Sequence, residues 1–366
     1  MSSKREESVV VAMSGGVDSS MAAFLLKEKG FKVIGITMDL FSLDKEFCLD
    51  ESLRSCCGKG ALSSANLVAV KLGIPHYVVD FKQIFEETVI SNFIREYSSG
   101  RTPNPCIRCN RYLKFELLWE RAKKLGVSYI ATGHHSRIIF DTQSKCYRLK
   151  KGKDRRKDQS YFLYNLGQRH LEHTLFPIGE YTKEKVRKMA EELELPVSKK
   201  PESQEICFIP DKDHVQFLKN RIPDAFRPGA IEDPEGKIIG EHRGIPGFTI
   251  GQRRGLGISS PYPLYVLNIK PETNTLVVGP EPFLYKRKLV ATSLNFTCHR
   301  PDQSRLQLRA KVRYRQEETK VVLSFLGEEK AEVEFEKPQR AITPGQAVVF
   351  YDQDDVVGGG IIKKTT

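Results

Sequence analysis

The sequence predicts an α/β domain with a parallel sheet, followed by a small β-rich central domain and a C-terminal β-barrel. In the first half of the chain, short apolar runs alternate with helical patterns, as they do in βαβ units. From Arg227 onward glycine and proline become more frequent, and short alternating runs replace the helical patterns. We place the predicted domains at 1–208, 209–281 and 282–366.

The predicted sheet begins with the apolar run that ends at Ala12, and a helix follows it and ends at Gly30. Because helical segments separate the strands, the sheet should be parallel, with ligands bound at the carboxyl ends of its strands. Further strands are expected at 32–38, 76–80 and 129–132, and further helices at 61–72, 82–97 and 183–193.

The turn between the first strand and helix is suited to hold an anion. Gly15 and Gly16 carry no side chains that would keep a phosphate away from the backbone N–H groups. The helix that follows adds its dipole. Further hydroxyl donors are Ser14, Ser19 and Ser20. Asp18 in such a site requires a compensating cation, for which we expect Mg²⁺. The alternative is a structural turn without a ligand.

Composition and charge narrow the class of protein. The chain of 366 residues is 40% hydrophobic and 28% charged, which excludes disordered and membrane-spanning classes. Its net charge of +12 indicates a polyanionic partner. Residues 1–8 show no apolar signal region, so we expect a cytoplasmic protein with no membrane partner. Eight cysteines in that setting predict reduced thiols for chemistry or metal binding.

Two basic stretches favour RNA as that polyanion. The segment 145–157 carries eight basic residues and one acidic residue, and amides and aromatic rings follow it. The segment 305–315 alternates in period two, with five cations on what should be one face of a strand. The alternative for both stretches is a solvated surface with no partner.

The string Ser-Gly-Gly-Val-Asp-Ser-Ser resembles the PP-loop of the ATP pyrophosphatases, which cleave ATP between the α- and β-phosphates. The resemblance implies a fold like that of the adenine nucleotide alpha hydrolases, with ATP and Mg²⁺ as cofactors. The residues that it implies for ATP binding are Ala12, Met13, Ser14, Gly15, Gly16, Val17, Asp18, Ser19, Met38 and Gly133.

Cleavage of ATP to pyrophosphate would adenylate an oxygen of a second substrate, and a sulfur nucleophile is suited to displace the resulting AMP. Cys109 lies between Arg108 and Arg111 at the start of an expected helix, a position that lowers the pKa of a thiol. The sequence therefore predicts Cys109 as a reactive cysteine.

Several motifs that keep their order along the chain resemble the tRNA-specific 2-thiouridylase family. They are Thr-Pro-Asn-Pro at 102–105, Cys109-Asn110, Gly133-His134, Lys-Asp-Gln at 157–159, the segment around Cys207, Gly-Gln-Arg-Arg-Gly-Leu-Gly at 251–257, and Arg-Tyr-Arg-Gln at 313–316. The resemblance implies that uridine 34 of the tRNAs for Lys, Glu and Gln is adenylated at O2 and then thiolated.

The same resemblance implies roles for single residues. Cys207 would carry a persulfide supplied by a cysteine desulfurase or a sulfur-relay protein, and Cys109 would be its nucleophile and disulfide partner. The residues implied beside the target base are Asn104, Pro105 and Cys106. Those implied in contact with tRNA are His134, Lys157, Asp158, Gln159, Arg313, Tyr314 and Gln346.

Cys106 departs from the family pattern, because many members carry an acidic residue at this position. Cys106, Cys109 and Cys207 could instead hold a [4Fe–4S] cluster, or bind zinc together with His134. We favour the persulfide route over the cluster, and both over zinc. The other cysteines are expected to be packing or surface residues: Cys48, Cys56, Cys57, Cys146 and Cys298.

Two other functions are compatible with parts of the sequence. A PP-loop synthetase or amidotransferase would act on a small-molecule carbonyl, but it gives no role to Cys109 and Cys207. A non-catalytic RNA-binding module would tolerate the loss of Asp18 and Cys109, both of which are present. We therefore rank both below tRNA thiolation.

Overall fold

The computed structural model describes residues 7–41, 59–201, 206–209 and 213–365. These residues form two compact units. The first unit contains the described residues up to Val89, those from Cys106 to Ile209, and Asp354–Val356. The second contains Ile90–Pro105, the described residues from Asp213 to Gln353, and the final strand beyond Val356.

The first unit is built on a parallel sheet, as predicted. In chain order, the first strands of the unit are β1 (Ser8–Ala12), β2 (Lys32–Asp39), β3 (His76–Asp80) and β4 (Tyr129–Ala131). They are followed by β5 (Ser136–Asp141) and β6 (Cys146–Lys151), which form an antiparallel hairpin outside the parallel sheet, and by β7 (Thr174–Leu175). The sheet has the order β3-β2-β1-β4-β7. The chain changes direction across the sheet between β1 and β4, which is where ligands bind in open α/β sheets.

Helices of the first unit accompany this sheet. They include α1 (Val17–Glu28), α2 (Lys59–Leu72), α3 (Lys82–Phe85), α5 (Pro105–Arg108), α6 (Leu118–Lys124), α7 (Gln168–Leu171) and α8 (Lys183–Glu192), whereas α4 (Ser91–Ser98) belongs to the second unit. The core of the unit joins β1 and α1 to α2 and α8, with Met21 and Val68 fully buried in it. None of the helices among the described residues has both the length and the apolar character that crossing a bilayer requires.

Two predicted helices differ from those observed. The helix expected at 82–97 consists of α3, a π-helical turn Glu86–Ile90, and α4, which belongs to the second unit. The helix expected to start at Cys109 starts at Pro105, because proline is favoured at the first helical position. A π-helical stretch, Cys109–Leu117, then joins α5 to α6.

The second unit contains the small β-rich domain and the barrel. After α9 (His214–Arg221), the strands β8 (Gly229–Glu232), β9 (Ile238–His242), β10 (Tyr265–Lys270) and β11 (Thr275–Gly279) form a sheet of order β10-β11-β8-β9. Ile231, Leu276 and Val278 are fully buried in its core. The predicted β-rich central domain is therefore confirmed.

The barrel consists of six strands, β12 (Tyr285–Phe296), β13 (Arg305–Lys311), β14 (Thr319–Phe325), β15 (Lys330–Arg340), β16 (Ala347–Asp352) and β17 (Asp355–Thr365). Pairing of β12 with β17 closes it and confirms the predicted C-terminal barrel. The predicted strand at 305–315 ends at Lys311, so Arg313 and Arg315 lie in the following turn rather than on the face of the strand. The five cations expected on one face therefore do not form a single row.

The segment Ile90–Pro105 belongs to the second unit although it lies early in the chain. The ring of Tyr97 on α4 lies 5.3 Å from that of His214, and the ring of Phe93 lies 6.1 Å from that of Phe217. Both partners are on α9, so these aromatic contacts hold α4 within this unit.

Candidate phosphate loop and thiol site

The turn between β1 and α1 has a fixed backbone. Gly15 has φ +65°, and a Cβ atom at this position would lie 2.3 Å from the carbonyl oxygen of Ala61, so only glycine fits there. The hydroxyls of Ser19 and Ser20 donate to the carbonyl oxygen of Gly16 at 3.1 and 2.9 Å. Ser20 is fully buried, so its hydroxyl stabilises the turn and is not presented to a ligand.

Two further residues implied for ATP binding lie at the same edge of the sheet. Gly133 follows β4, and a Cβ atom there would lie 2.5 Å from the backbone of Asp18 and Ser19. Met38 is buried near the carboxyl end of β2. Ala12 and Met13 are also buried, so any contact of theirs with a nucleotide would be made by the backbone.

Asp18 is paired with two side chains of the first unit. The Nζ atom of Lys183 lies 2.6 Å from Asp18 Oδ2, and His135 Nε2 lies 3.3 Å from Asp18 Oδ1. Burial alone would raise the pKa of Asp18, but the hydrogen bond from His135 and the positive charge of Lys183 outweigh it and lower that pKa. Lys183 therefore supplies the compensating charge that the sequence analysis assigns to Mg²⁺.

Three residues of this site were not predicted from the sequence, namely Lys183, Lys200 and His135. The Nζ atom of Lys200 donates to the carbonyl oxygen of Gly15 at 3.1 Å and to Ser64 Oγ at 3.2 Å. Lys183 is the first residue of α8, where a cation opposes the helix dipole. A lysine at the first position of a helix is unfavourable unless an acidic group compensates its charge. The position of Lys183 could therefore have indicated an acidic partner such as Asp18.

The described thiols, carboxylates and imidazoles are not grouped as metal ligands. Among the described residues, no three side chains of His, Cys, Asp or Glu are grouped so that they could hold a metal ion. Cys106, Cys109 and Cys207 therefore do not form a ready cluster site, and Asp18 has no further acidic or histidine ligands grouped with it for Mg²⁺ beyond His135.

Cys109 is buried one turn into the helix that begins at Pro105, whereas Cys106 in the first turn is exposed. The helix dipole acts most strongly in the first turn of a helix. It therefore favours the thiolate of Cys109 less than the sequence predicts. The flanking residues fix the backbone of Cys109: Arg108 Nε donates to the carbonyl oxygen of Thr88 at 3.0 Å, and Asn110 Nδ2 donates to that of Phe162 at 3.2 Å.

Cys207 is half-buried in a turn whose next two residues, Phe208 and Ile209, are buried. The ring of Phe208 packs edge-on against that of Phe85, with 5.6 Å between the centroids. Because Arg108 is bonded to Thr88, the segments that carry Cys109 and Cys207 both contact the short helical stretch 85–88. Neighbours of both predicted thiols thus contact one continuous helical stretch, formed by α3 and the π-helical turn that follows it.

The remaining cysteines divide into two groups. Cys146 and Cys298 are both disulfide-bonded, so the expectation that they are ordinary packing or surface cysteines is wrong. Nothing in their local sequence indicates a disulfide, because the pairing depends on the tertiary fold. Cys48, Cys56 and Cys57 lie outside the described residues.

Three family models match the chain. The tRNA methyl transferase HUP domain matches residues 7–211, the tRNA methyl transferase PRC-barrel domain matches 215–280, and the aminomethyltransferase beta-barrel domain matches 286–362. The tRNA-specific 2-thiouridylase MnmA 2 of Thermoanaerobacter sp. (strain X514) is 51% identical over 356 residues, which are 97% of this chain and 98% of that protein. The chain belongs to the MnmA family.

Other relatives agree. MnmA of Carboxydothermus hydrogenoformans is 48% identical over 97% of both chains, and MnmA of Clostridium perfringens is 48% identical over 98% of this chain and 99% of its own. Among solved structures, a 4-thiouridine synthetase–RNA complex with bound ATP aligns with 60% of this chain and 51% of its own, at 16% identity and a TM-score of 0.37. A likeness at that level carries no argument about function.

Several residues that the MnmA resemblance assigns to tRNA make internal contacts in the first unit. His134 is buried, its Nδ1 atom lies 2.7 Å from Thr132 Oγ1, and burial holds its pKa well below the ordinary value. The buried carboxylate of Asp158 accepts from the backbone N–H of Gly152 and Ser160. Gln159 Oε1 accepts from the backbone N–H of His135 at 2.9 Å. Asp158 and Gln159 therefore shape the loop that follows Lys157, which is half-buried.

The basic segment 145–157 of this MnmA family member is partly neutralised within the first unit. Arg148 Nη1 lies 2.9 Å from Asp355 Oδ2, Lys150 is paired with the same carboxylate, and Arg155 is paired with Asp354. Arg137 Nη2, from β5, lies 2.9 Å from Asp354 Oδ2. Three of the eight cations in the segment thus take part in ion pairs within the first unit.

In the second unit, the residues implied to touch tRNA also contact backbone. Arg313 donates to the carbonyl oxygen of Ala341 and, at 3.3 Å, to Thr343 Oγ1. Tyr314 is half-buried in the same turn. Gln346 donates to two backbone carbonyl groups. Of the residues implied beside the target base, Asn104 is half-buried and Pro105 is buried.

Proposed function

We propose that this protein is an ATP-dependent tRNA 2-thiouridylase that converts uridine 34 of the tRNAs for Lys, Glu and Gln to 2-thiouridine. The observation that carries the proposal is that one compact unit holds both a phosphate loop with an ionised Asp18 and two cysteine segments tied to a single helical stretch. The family-model descriptions name a methyl transferase, but the relatives that match nearly the whole chain are named 2-thiouridylases. Cys109 and Cys207 could carry and release sulfur, which agrees with a 2-thiouridylase and not with a methyl transferase.

The phosphate loop would bind ATP through the backbone N–H groups at 14–17 and the start of α1, which Gly16 leaves without a side-chain cap. Gly133 and Met38 would border the rest of the nucleotide. Attack by O2 of the target uridine on the α-phosphorus forms the O2-adenylated base and releases pyrophosphate. When bound, Mg²⁺ would neutralise phosphate charge, while Lys183 and Lys200 provide cations of the protein itself close to the loop.

Sulfur would then replace the activated oxygen. Cys207 would receive a persulfide from a cysteine desulfurase or a relay protein. Attack by the thiolate of Cys109 on the Sγ atom of Cys207 would form a disulfide and release hydrosulfide, which adds to C2 of the base and expels AMP together with O2. A thiol reductant would restore both cysteines. No step is assigned to an iron–sulfur cluster, because the three cysteines form no ready metal group among the described residues.

We also propose a division of labour among the three parts of the chain. Residues 1–208 would carry the chemistry and a helical insertion that binds tRNA, 209–281 would form the small β-rich central domain, and 282–366 would also contact tRNA. The cationic side of β13 supports this role, since Arg305 and Arg309 are exposed there. We expect the protein to act in the cytoplasm, because its proposed substrate and cofactor, tRNA and ATP, are both available there.

The test is mass spectrometry of tRNA nucleosides after incubation of the protein with ATP, unmodified tRNA and a persulfide donor. We expect 2-thiouridine from the wild type and none from Cys109→Ser or Cys207→Ser, with tRNA-stimulated pyrophosphate release retained in both variants. Pyrophosphate release that responds to ammonia or glutamine and not to tRNA would support the synthetase alternative instead. Iron and acid-labile sulfide measured in anaerobically purified protein would reveal a cluster.

A further inference from the structure

The loop between β6 and the 3₁₀ turn at Ser160 carries the Lys-Asp-Gln motif that the MnmA resemblance assigns to tRNA. We call its residues, 152–159, the KDQ loop. A Cβ atom on Gly152 would lie 2.5 Å from the carbonyl oxygen of His135, and the N–H of Lys153 donates to the carbonyl oxygen of Gly179 at 2.9 Å. All of these residues belong to the first unit. The start of the loop is thus held against backbone on both sides.

One connection runs from the KDQ loop to Asp18 through His135. The N–H of His135 donates to Gln159 Oε1 at 2.9 Å, and the N–H of Gln159 donates to the carbonyl oxygen of His135 at 3.0 Å. The ring of the same histidine is 3% exposed, and its Nε2 atom lies 3.3 Å from Asp18 Oδ1. His135 therefore links the end of the KDQ loop to the phosphate loop.

A second connection runs through Asp154, the one acidic residue of the segment 145–157. Asp154 Oδ2 accepts from the backbone N–H of Lys183 at 3.0 Å, and Lys183 Nζ donates to Asp18 Oδ2 at 2.6 Å. Burial alone would raise the pKa of Asp154, but hydrogen bonds from the backbone N–H groups of Lys183 and Arg156 lower it. Asp154 is therefore a carboxylate at neutral pH, and the dipole of α8 favours it at this end of the helix.

Both connections end on one carboxylate. One oxygen of Asp18 contacts His135 and the other contacts Lys183, so its position depends on two residues that the KDQ loop holds. A ligand that orders the loop also orders these two residues, and a second ligand at the phosphate loop then loses less conformational entropy on binding. Such coupling is reciprocal, because each ligand must raise the affinity for the other by the same factor.

We propose that His135 and Asp154 are positioning residues, which connect the KDQ loop to Asp18 so that tRNA and ATP each strengthen the binding of the other. This inference rests on the proposed function, in which the KDQ loop contacts tRNA and the phosphate loop binds ATP. The resemblance assigns neither residue a contact with either ligand. Changing them should uncouple the two binding events without abolishing either.

The test is the Kd of the full-length protein for unmodified tRNA, measured with and without saturating α,β-methylene ATP. This analogue cannot be cleaved between the α- and β-phosphates, so the measurement is free of the reaction. For the wild type we expect the analogue to lower the Kd for tRNA roughly 5- to 20-fold, as coupled sites do. Saturating tRNA should lower the Kd for the analogue by the same factor, which we call the coupling factor.

His135→Phe keeps a ring at the buried position but removes the donor to Asp18, so the coupling factor should fall to about twofold or less. His135→Gln restores an amide donor and should keep a factor of about fivefold or more. His173→Phe is the matched control, because a phenylalanine ring can still stack on Trp119, and it should keep the wild-type factor. A wild-type factor in His135→Phe, or an equal loss in His135→Phe and His135→Gln, would contradict this connection.

Asp154→Asn tests the second connection, because an amide has one oxygen and cannot accept from the N–H groups of both Lys183 and Arg156. The coupling factor should fall by roughly threefold or more. The lost negative charge also favours tRNA, but it acts with and without the analogue and cancels in the factor. Glu192→Gln, which removes an exposed carboxylate at the other end of α8, should keep the wild-type factor.

Hydrogen exchange of the peptide covering 13–21 adds a readout that depends neither on the analogue nor on catalysis. Addition of tRNA alone should slow exchange there in the wild type, His173→Phe and Glu192→Gln, and should do so less in His135→Phe and Asp154→Asn. Equal slowing in all five proteins would overturn the inference.

The outcomes separate the two proposals. A wild type that binds tRNA but forms no 2-thiouridine contradicts the proposed function. A wild type that forms 2-thiouridine, and whose Kd for tRNA is the same with and without the analogue, contradicts the coupling alone.

Discussion

At the scale of single residues, the charge of Asp18 is balanced within the protein. Its carboxylate contacts Lys183 and His135, and Lys183 is itself almost fully buried. A cation in that environment is stabilised chiefly by its acidic partner, so loss of either residue leaves the other with an uncompensated charge.

Lys183→Met should therefore impair both folding and catalysis. We expect the free energy of unfolding in urea to fall by about 2–3 kcal/mol, less than for a fully enclosed pair because Asp18 is partly exposed. ATP-dependent pyrophosphate release should fall as well. Lys188→Met, on the same helix but at an exposed position, is the control and should cost less than about 0.5 kcal/mol. Equal losses in the two variants would contradict the assigned role of Lys183.

His170 gives the protein a pH dependence whose sign can be worked out. Burial, with the nearby charges of Arg111 and Arg169, lowers its pKa from 6.5 to about 4. Between these two values the unfolded chain binds the extra proton and the folded chain does not. The free energy of unfolding should therefore fall as the pH drops from 6.5 toward 4, by up to about 1.4 kcal/mol per pH unit.

The measurement is urea unfolding of the wild type and of His170→Asn at several pH values in this window. The variant lacks the titrating group, so its stability should depend less steeply on pH. His299→Asn, at an exposed position, should keep the slope of the wild type. If the free energy of unfolding of His170→Asn depends on pH as steeply as that of the wild type, His170 is not the titrating group.

At the scale of secondary-structure elements, the approach of β4 to the start of α1 builds the phosphate loop. Gly133→Ala would place a methyl group 2.5 Å from the backbone of Asp18 and Ser19, so the loop must shift. We expect pyrophosphate release to fall by roughly 100-fold, as a displaced site would. Gly167→Ala, where no atom lies within 4 Å of the added carbon, should retain activity. Full activity in Gly133→Ala would exclude this close approach.

Much at this scale was predictable from local sequence. The strands at β1 and β3, the glycine turn and the barrel follow from apolar periodicity and from glycine, which act over a few residues. No local pattern encodes the ion pair of Asp18 with Lys183, because the two residues are more than a hundred positions apart. The same holds for the hydrogen bond from Gln346 to Thr102. The ion pairs of the basic segment 145–157 could not be predicted for the same reason, since its partners Asp354 and Asp355 lie about two hundred residues away.

At the scale of the whole molecule, the turn between β16 and β17 contributes Asp354–Val356 to the first unit. Asp354 and Asp355 together pair with Arg137, Arg148, Lys150 and Arg155. The hydrogen bond from Arg155 and the charges of both its arginine partners lower the pKa of Asp354. This network of partly exposed pairs should make a modest but measurable contribution to stability.

The double variant Asp354→Asn/Asp355→Asn should lower the free energy of unfolding by about 1–2 kcal/mol, because four cations each lose one carboxylate partner. Urea unfolding at low salt measures the effect, and 1 M salt should reduce the difference from the wild type. Asp352→Asn, exposed and adjacent in sequence, is the control and should change stability little. A salt-independent loss would indicate a packing defect instead.

The position of this turn also determines what a late nonsense mutation would remove. Residues 354–356 lie at the junction of two barrel strands, yet they belong to the first unit. A chain that stops before Asp354 would lack β17, whose pairing with β12 closes the barrel, and it would also lack the carboxylates that pair with Arg137 and Lys150. One truncation of this kind would therefore weaken both units together.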